Sequence, residues 1–325
     1  MKATAVAPSN IAFIKYWGKK DEGLRIPLNG SISMNLSNLL TTTTVEFNPK
    51  FKKDAVTIDD QKEDEAKNRV IKHLDRVRKI AKINDRAKVV SVNNFSTSTG
   101  LSSSASGFAA LTLGASCAAG LNLSEKELSI LARVGSGSAC RSIPDGFVEW
   151  FPGETNETSY SVSFFPQDYW DIVDVVAIIS KDKKEVPTTA GQKYTKTSPF
   201  LPTRLERIEE KIKLVKKYIQ EKNFSLFGEL IEQEALELHS IMLTSKPPLI
   251  YWLPETLKVM HAVIKWRQEG LQVYFTINTG QNIHLICREK DLKKVMVRIK
   301  ELSVVIKTII NNPSRGADLT TSHLF

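Results

Sequence analysis

The sequence predicts an α+β fold with two domains, because strands, hairpins and helices follow one another irregularly along the chain. A segment rich in β-branched residues at 41–47 predicts a strand of a hairpin in the first half. Helical spacing of apolar residues at 205–221 and 224–243 predicts long helices in the second half, where hairpin strands also occur. The length of 325 residues favours two domains. We place their boundary at about residue 180, between an N-terminal α+β domain (1–180) and a C-terminal, ferredoxin-like α+β domain (181–325).

The first half alternates between β-branched segments, which predict strands, and segments whose apolar residues recur at helical spacing. Ser124 and Glu127 have the Ser-x-x-Glu spacing of a capping box and mark the start of one helix. The predicted strands are residues 4–16, 32–36, 41–47, 88–92, 146–150 and 171–180. The predicted helices are residues 64–83, 108–120 and a segment that begins after Ser124.

A Ser-, Thr- and Gly-rich stretch at residues 93–107 connects a predicted strand to a predicted helix. Small residues before a helix allow backbone N–H groups to converge on an anion, and the helix N-terminus adds partial positive charge. The same composition is also typical of linkers and helix caps. Its position between a strand and a helix favours a phosphate-binding loop, although neither GxxxxGK[ST] nor GxGxxG is present.

The second half begins with a polar crossing at residues 181–202, rich in Thr and Pro, which predicts a connection without regular structure. Long helices and a hairpin follow it. The predicted helices are residues 205–221, 224–243, 254–270 and 291–300, and the predicted strands are residues 272–278, 282–287 and 304–309.

Composition excludes several classes of protein. Hydrophobic residues make up 42% of the chain and charged residues 25%, which is typical of a globular protein with a core. No apolar run is long enough to cross a bilayer and no signal peptide is recognisable, so we expect a cytoplasmic protein without membrane association. The three cysteines have no CxxC spacing, which argues against a zinc site, and we predict no bound metal. The 45 basic and 36 acidic residues are interspersed, and no nucleic-acid-binding signature accompanies them.

Three polar segments in the first half are candidates for an anion-binding site. Residues 10–19 contain lysines, residues 93–107 form the predicted loop, and residues 136–141 end in Arg141. Each alone is more typical of a solvated surface or a structural arginine. Together they indicate a small-molecule site, because lysine and arginine beside Ser/Gly loops bind phosphate and carboxylate groups.

The three segments resemble a known family. NIAFIKYWGKKD (10–21), STSTGLSSSASGFAAL (96–111) and GSGSACRSIPDGFVEW (135–150) are similar to the motifs of diphosphomevalonate decarboxylases. That family belongs to the group of galactokinase, homoserine kinase and mevalonate kinase. The resemblance implies a two-domain α+β fold of this type with a central cleft. It extends through His239, the Pro247–Pro248 pair and residues 274–287.

The resemblance also implies residue roles. The family binds mevalonate diphosphate and ATP, phosphorylates the tertiary hydroxyl, and then expels phosphate as carbon dioxide leaves. The resemblance implies that Arg141 binds the substrate carboxylate, and we predict that Arg141, Lys15 and Asn278, which stands at the position of the family's catalytic aspartate, are the catalytic residues. The implied substrate-binding residues are Tyr16, Lys19, Arg69, Ser136 and Ser138, and those of the phosphate loop are Ser98, Gly100, Ser102, Ser103 and Ser104.

One departure from the family pattern concerns catalysis. The family places its catalytic aspartate in an Asp-Ala-Gly-Pro-Asn turn, whereas this chain reads Asn-Thr-Gly-Gln-Asn at residues 278–282. An amide does not take up a hydroxyl proton at neutral pH, and loss of a general base typically costs about 10²–10⁴ in rate. Asp145 is a substitute only in principle, since an Asp between Pro and Gly is typical of a turn.

Asn278 therefore favours decarboxylation without ATP. The expected substrate is mevalonate 3,5-bisphosphate, as for the related decarboxylases of acid-loving archaea, and the expected products are isopentenyl phosphate, carbon dioxide and phosphate. No cofactor is then expected. Three alternatives stay open: an ATP- and Mg²⁺-dependent diphosphomevalonate decarboxylase that gives isopentenyl diphosphate, a mevalonate 3-kinase-like enzyme, and a non-enzymatic anion-binding relative. The expected partner is a small phosphorylated mevalonate rather than nucleic acid, and the family makes a homodimer one candidate assembly.

Overall fold

The computed structural model describes residues 1–59, 64–96 and 100–325, and it confirms the α+β fold. The described helices of the first half are α1 (Asp64–Ala81), α2 (Ser103–Ala118) and α3 (Glu125–Gly135). The described strands of the first half are β1 (Lys2–Ile14), β2 (Lys19–Asp21), β3 (Ile26–Pro27), β4 (Ser31–Asn48), β5 (Ala55–Ile58), β6 (Arg86–Asn93), β7 (Phe147–Phe151) and β8 (Tyr160–Phe165).

In the second half, the described strands are β9 (Ile172–Ile178), β10 (Val273–Thr276), β11 (Ile283–Arg288), β12 (Lys307–Asn311) and β13 (Asp318–Thr320). The described helices are α4 (Thr188–Gly191), α5 (Leu201–Gln220), α6 (Phe224–Thr244), α7 (Pro254–Gln268) and α8 (Glu289–Lys300). Two 3₁₀ segments, Gly137–Ser142 and Gln192–Thr197, carry residues of the cavity described below.

Two sheets organise the described residues. The larger sheet has seven strands in the order β13-β1-β4-β6-β5, with β7 paired to β4 and β8 paired to β7. Its strands are antiparallel apart from the parallel pair β5 and β6. The smaller sheet has four antiparallel strands in the order β10-β11-β9-β12. The final strand β13 returns to pair with β1, so the end of the chain completes the first sheet.

A shared core packs the halves of the chain against each other. Phe13 of β1 meets Phe227 of α6 edge-to-face, with ring centroids 4.9 Å apart. Both rings are fully buried, in a cluster that also contains Ile32 of β4 and Ile212 of α5. Apolar burial of this kind is the main favourable term in folding, so this cluster fixes the position of α5 and α6 against the larger sheet.

Most predicted elements are confirmed within one to five residues at their ends. The two strands predicted at 32–36 and 41–47 are one continuous strand, β4, which pairs with β1, β6 and β7 at different points along its length. The crossing at 181–202 is not without structure, because it contains α4 and a 3₁₀ segment. The Ser124 capping box is confirmed at the start of α3.

The domain boundary at about residue 180 stays a prediction. The strand that precedes it, β9, pairs within the smaller sheet. Among the described residues, none of the helices is both long and apolar enough to cross a membrane. The cytoplasmic location also stays a prediction.

Candidate active site

A cavity of about 660 Å³ opens between the two halves of the chain. The first half contributes the end of β1, the start of α2 and the 3₁₀ segment at Gly137–Ser142. The second half contributes residues around α4 and the turn that begins at Asn278. The cavity therefore joins the three polar segments identified in the sequence with the turn that departs from the family pattern.

The predicted phosphate loop lies at the wall of this cavity. Gly100 and Ser102–Ser104 line it, and α2 begins at Ser103. Ser102 adopts a left-handed conformation with φ of 59°, which turns the chain into the helix. The first N–H groups of a helix lack partners within it and carry partial positive charge, so this end of α2 can bind an anion. Ser98 lies outside the described residues.

Cationic side chains dominate the cavity wall. Six lysines and arginines line it, namely Lys15, Arg25, Arg69, Arg141, Lys183 and Lys184. Within the described parts of the chain, Glu65 is the sole carboxylate on the wall, and it is exposed. This excess of positive charge fits a ligand that carries several phosphate groups.

Arg141 is held rigidly in the wall. Its Nη1 donates to Ser31 Oγ at 2.7 Å and its Nη2 donates to Asn10 Oδ1 at 3.0 Å. The guanidinium lies 5.7 Å from the centroid of the Trp150 ring. Its Nε is buried and has no acceptor among the described residues. A fixed and incompletely paired guanidinium is suited to bind a carboxylate.

Lys15 and Asn278 meet at the junction of the two halves. Lys15 follows β1, is 1% exposed, and its Nζ donates to Ala12 O at 2.6 Å and to Asn278 Oδ1 at 3.2 Å. The amide of Asn278 donates in turn from Nδ2 to Ser102 Oγ at 3.2 Å. Burial lowers the pKa of Lys15 to about 7, since the carboxylate of Glu234 offsets only part of the cost of desolvation.

The predicted substrate-binding residues line the same wall, except for one. Tyr16 donates from its hydroxyl to Gln192 Oε1 at 3.1 Å, and Ser136 and Ser138 border the cavity beside it. Arg69 lies 4.8 Å from the centroid of the Phe108 ring. Burial first, and then the charge of Arg25, lower the pKa of Arg69 to about 10, so it is charged at neutral pH.

Lys19, predicted to bind substrate, and Asp145, a possible substitute base, do not line the cavity. Lys19 is not among its lining residues, and its Nζ lies 2.7 Å from Glu22 Oε2. Asp145 is exposed and accepts a hydrogen bond from Gly316 N at 2.7 Å, so it links its loop to the segment before β13. It is therefore not a substitute base.

Sequence reasoning missed the contribution of the crossing at 181–202. Lys184 donates to Thr279 O at 2.7 Å and to Thr188 Oγ1 at 2.5 Å, and all three residues line the cavity. Burial lowers the pKa of Lys184 to about 8. The adjacent Lys183 and Lys184, followed by Thr188 and Thr189, were the signal that a second anion-binding segment was present.

Several solved structures that are similar to this chain are mevalonate diphosphate decarboxylases. The decarboxylase from Staphylococcus aureus is 36% identical, with a TM-score of 0.93 over 98% of both chains. The Enterococcus faecalis enzyme, solved in a study of ATP binding mediated by mevalonate diphosphate, is 35% identical, with a TM-score of 0.92 over 99% of both chains. A complex of MDDEF with MVAPP, AMPPCP and magnesium is 36% identical, with a TM-score of 0.92 over 99% of both chains.

These findings correct two predictions. Decarboxylation of mevalonate 3,5-bisphosphate without ATP is wrong as the main assignment, because similar proteins are diphosphomevalonate decarboxylases. The expectation that no cofactor is used is also wrong, because a similar structure binds the ATP analogue AMPPCP with magnesium. The prediction gave too much weight to Asn278. Phosphoryl transfer depends mainly on positioning and charge, and the described loop residues and cations of the cavity supply both.

Curated relatives and family models cover nearly the whole chain. The diphosphomevalonate decarboxylase of Candida albicans is 35% identical over 312 residues, which is 90% of this chain and 86% of the relative. The rat enzyme is 32% identical over 92% of this chain and 80% of its own length. The diphosphomevalonate decarboxylase-like N-terminal domain matches residues 7–161, and the mevalonate 5-diphosphate decarboxylase C-terminal domain matches residues 174–320. The chain therefore belongs to the diphosphomevalonate decarboxylase family.

Proposed function

We propose that this protein converts mevalonate diphosphate and ATP into isopentenyl diphosphate, carbon dioxide, ADP and phosphate. Family membership makes it a carboxy-lyase that acts on a phosphorylated mevalonate. The observation that carries the ATP-dependent assignment is the cavity itself, in which the N-terminus of α2 meets the turn at Asn278 and six lysines and arginines line the wall. That amount of positive charge suits a diphosphate and a triphosphate together.

The residue roles belong to this proposal. Arg141 binds the carboxylate of the substrate, because its fork is fixed by Ser31 and Asn10. The substrate phosphates contact other side chains of the cavity wall, namely Tyr16, Arg69, Ser136 and Ser138. Lys19, paired with Glu22 outside the cavity wall, contributes positive charge only at longer range.

The nucleotide phosphates bind at Gly100 and Ser102–Ser104, with Lys184 on the opposite side. The described residues contain no cluster of three or more acidic, His or Cys side chains that could hold a metal ion. This fits Mg²⁺, which commonly keeps several waters and binds through substrate phosphates with few protein oxygens. The hydroxyls of Ser102–Ser104 would be its protein ligands, and the ion would neutralise phosphate charge.

Carbon dioxide release tests the assignment directly. The purified protein is incubated with mevalonate diphosphate labelled with ¹⁴C in the carboxylate, in the presence and absence of ATP and Mg²⁺. We expect ADP and labelled carbon dioxide in a one-to-one ratio when ATP is present, and neither product without it. Equal release of carbon dioxide without nucleotide would contradict the proposal, and so would ADP release without carbon dioxide, which would indicate a kinase alone.

A further inference from the structure

Asn278 stands where the family pattern has its catalytic aspartate, so under the function proposed above the acceptor of the hydroxyl proton is another group. Asn278 cannot take this role at neutral pH, because an amide has no basic site of suitable strength. Asp145 lies outside the cavity and accepts a hydrogen bond from Gly316 N, and Glu65 is an exposed residue on α1. In the described part of the chain, these observations leave Lys15 as the titratable group that contacts the Asn278 side chain from the cavity wall.

We propose, given the function proposed above, that the Lys15 amine is the general base that takes up the proton of the tertiary hydroxyl during phosphoryl transfer. An ammonium group has three N–H donors, and two of them have acceptors in the wall, Ala12 O and Asn278 Oδ1. Loss of the remaining proton keeps both hydrogen bonds and leaves a lone pair. The two hydrogen bonds therefore hold the amine in place whether or not it carries the third proton, at a position that lines the cavity.

The charges around Lys15 decide its protonation state. The charged groups that act on it come from four other elements: Glu234 on α6, Arg204 on α5, Asp174 on β9 and Arg141 in the 3₁₀ segment. Desolvation is the largest effect, and it favours the neutral amine. The pKa of about 7 lies near the operating pH, which is where a general base is most effective.

The two anions in this group are already paired with other side chains. Glu234 forms ion pairs with Arg204 and with Lys211, and it accepts the backbone N–H of Lys15 rather than its Nζ. Asp174 Oδ2 lies 3.0 Å from His284 Nδ1. The neutral Asn278 side chain is the one that directly contacts Lys15 Nζ. An aspartate at position 278 would instead hold the ammonium in its charged form.

The proposed step balances as follows. The neutral amine of Lys15 accepts the hydroxyl proton, the oxygen forms a bond to the terminal phosphorus of ATP, and the bond from that phosphorus to ADP breaks with its electron pair on ADP. In the second step the C–O bond to the new phosphate breaks with its pair on phosphate. The bond between carbon and carboxylate then supplies the pair for the double bond, and carbon dioxide leaves. The Lys15 ammonium stabilises the departing phosphate and returns its proton to it.

The first experiment measures single-turnover ADP formation between pH 5.5 and 9 for four proteins: wild type, Lys15→Arg, Asn278→Asp and the double variant. Wild type should accelerate about tenfold per pH unit below pH 7 and then level off. Lys15→Arg keeps the positive charge but cannot lose its proton, so its rate should fall about 10²–10⁴-fold, with KM for mevalonate diphosphate changed only a few-fold.

The double variant separates proton transfer from binding. An aspartate at position 278 supplies a new proton acceptor, so Lys15→Arg/Asn278→Asp should regain at least about tenfold over Lys15→Arg and should work at lower pH than wild type. A Lys15→Arg variant that keeps the wild-type rate and pH profile would overturn the proposal. If Lys15 served only to bind substrate charge, Lys15→Arg would keep the wild-type rate and pH profile. Alternatively, its KM would rise and Asn278→Asp would not restore the rate.

A second measurement does not depend on activity. In protein labelled with ¹³C at the lysine ε carbon, the chemical shift follows protonation, and the signal missing from Lys15→Arg identifies Lys15. We expect titration near pH 7 in wild type and at least two pH units higher in Asn278→Asp. Titration near pH 10 in wild type would overturn the proposal even if the protein is an ATP-dependent decarboxylase. Titration near pH 7 without ADP formation would instead place the failure in the proposed function.

Discussion

Arg141 is the residue whose geometry assigns it the most specific role. Both of its Nη atoms are held by side chains from the larger sheet, so the guanidinium cannot rotate freely to meet a ligand. Lysine at the same position would keep the charge and lose the planar fork. We expect Arg141→Lys to lower kcat/KM about 10- to 150-fold, because a hydrogen bond to a charged group contributes about 1.5–3 kcal/mol.

The measurement for Arg141→Lys is steady-state carbon dioxide release, with thermal unfolding as a check of the fold. Arg86→Lys is the matched control, since Arg86 is about half exposed, pairs loosely with Asp54 at 3.9 Å and lies outside the cavity. Its kcat/KM should stay within twofold of wild type. Equal activity of the two variants would contradict the carboxylate-binding role of Arg141.

Lys184 should make nucleotide binding depend on pH. Burial lowers its pKa to about 8, so its charged fraction falls from about 0.9 at pH 7 to about 0.1 at pH 9. A phosphate favours the ammonium form, and we therefore expect ADP to bind about five- to tenfold more weakly at pH 9 than at pH 7. Calorimetric titration of wild type and Lys184→Arg measures this. Lys184→Arg stays charged at pH 7 and at pH 9, so its affinity for ADP should not fall. An equal loss of affinity in wild type and in the variant would assign the pH effect to another group.

At the residue level, the sequence predicted the residues of the cavity better than their chemical state. Tyr16, Ser136, Ser138 and Arg141 could be identified, because they lie in contiguous motifs of the chain, whereas Arg69 came from the wider resemblance to the family. The pKa of Lys15 could not, since it depends on burial by elements distant in sequence. Lys184 was missed for a related reason: its contact with Thr279 joins residues 95 positions apart.

The loop before α2 and the turn after β10 form one close contact between elements. Gly100 has φ of +92°, and a Cβ at this position would lie 2.8 Å from the Cα of Gly280. A residue with a side chain would be strained at this positive φ, and its Cβ would clash with Gly280. The contact places the phosphate loop directly beside the turn that carries Asn278.

We expect Gly100→Ala to lower both stability and activity. Left-handed backbone costs about 1–2 kcal/mol for a residue with a Cβ, and relief of the clash with Gly280 must move the loop away from the turn. Chemical denaturation and ADP formation measure the two effects, and we expect a loss of at least tenfold in rate. Gly107→Ala is the matched control for stability, because nothing lies within 4 Å of its added Cβ and the position is helical. That variant should be as stable as wild type or slightly more stable.

Element boundaries were predictable where a local signal exists. The capping box at Ser124 fixes the start of α3. It is readable from the sequence because it consists of two side chains only three residues apart. The start of α2 was placed five residues late, at 108 rather than 103, because serines are typical of loops. Apolar packing of this helix overrides that preference, since Ala109, Ala110 and Leu111 are buried in a cluster that also contains residues of the larger sheet.

At the scale of the molecule, the junction of the two halves could not be read from composition. Glu234 is fully buried on α6, where it pairs with Arg204 at the start of α5 and with Lys211 one to two turns further along. It also accepts the backbone N–H of Lys15 at 3.0 Å, which ties α6 to the end of β1. The sequence shows these residues only as members of two charged helices, where most ionic side chains are solvated.

Removal of the Glu234 charge should therefore destabilise the whole molecule. Burial alone would raise the pKa of this carboxyl, but the charges of Arg204 and Lys211 and the hydrogen bonds from Arg204 and the Lys15 backbone together outweigh burial and hold the pKa below its usual range, so Glu234 is ionised at neutral pH. In Glu234→Gln the buried Arg204 loses its counterion and the buried Lys211 keeps only Glu237, so we expect the free energy of unfolding to fall by about 3–5 kcal/mol. Glu237→Gln is the matched control on the same helix, because it pairs with the same Lys211 but its side chain is 28% exposed, so its loss should be about 1 kcal/mol or less. Urea denaturation at pH 7 measures both variants, and similar losses for the two would mean that the buried cluster does not hold the halves together.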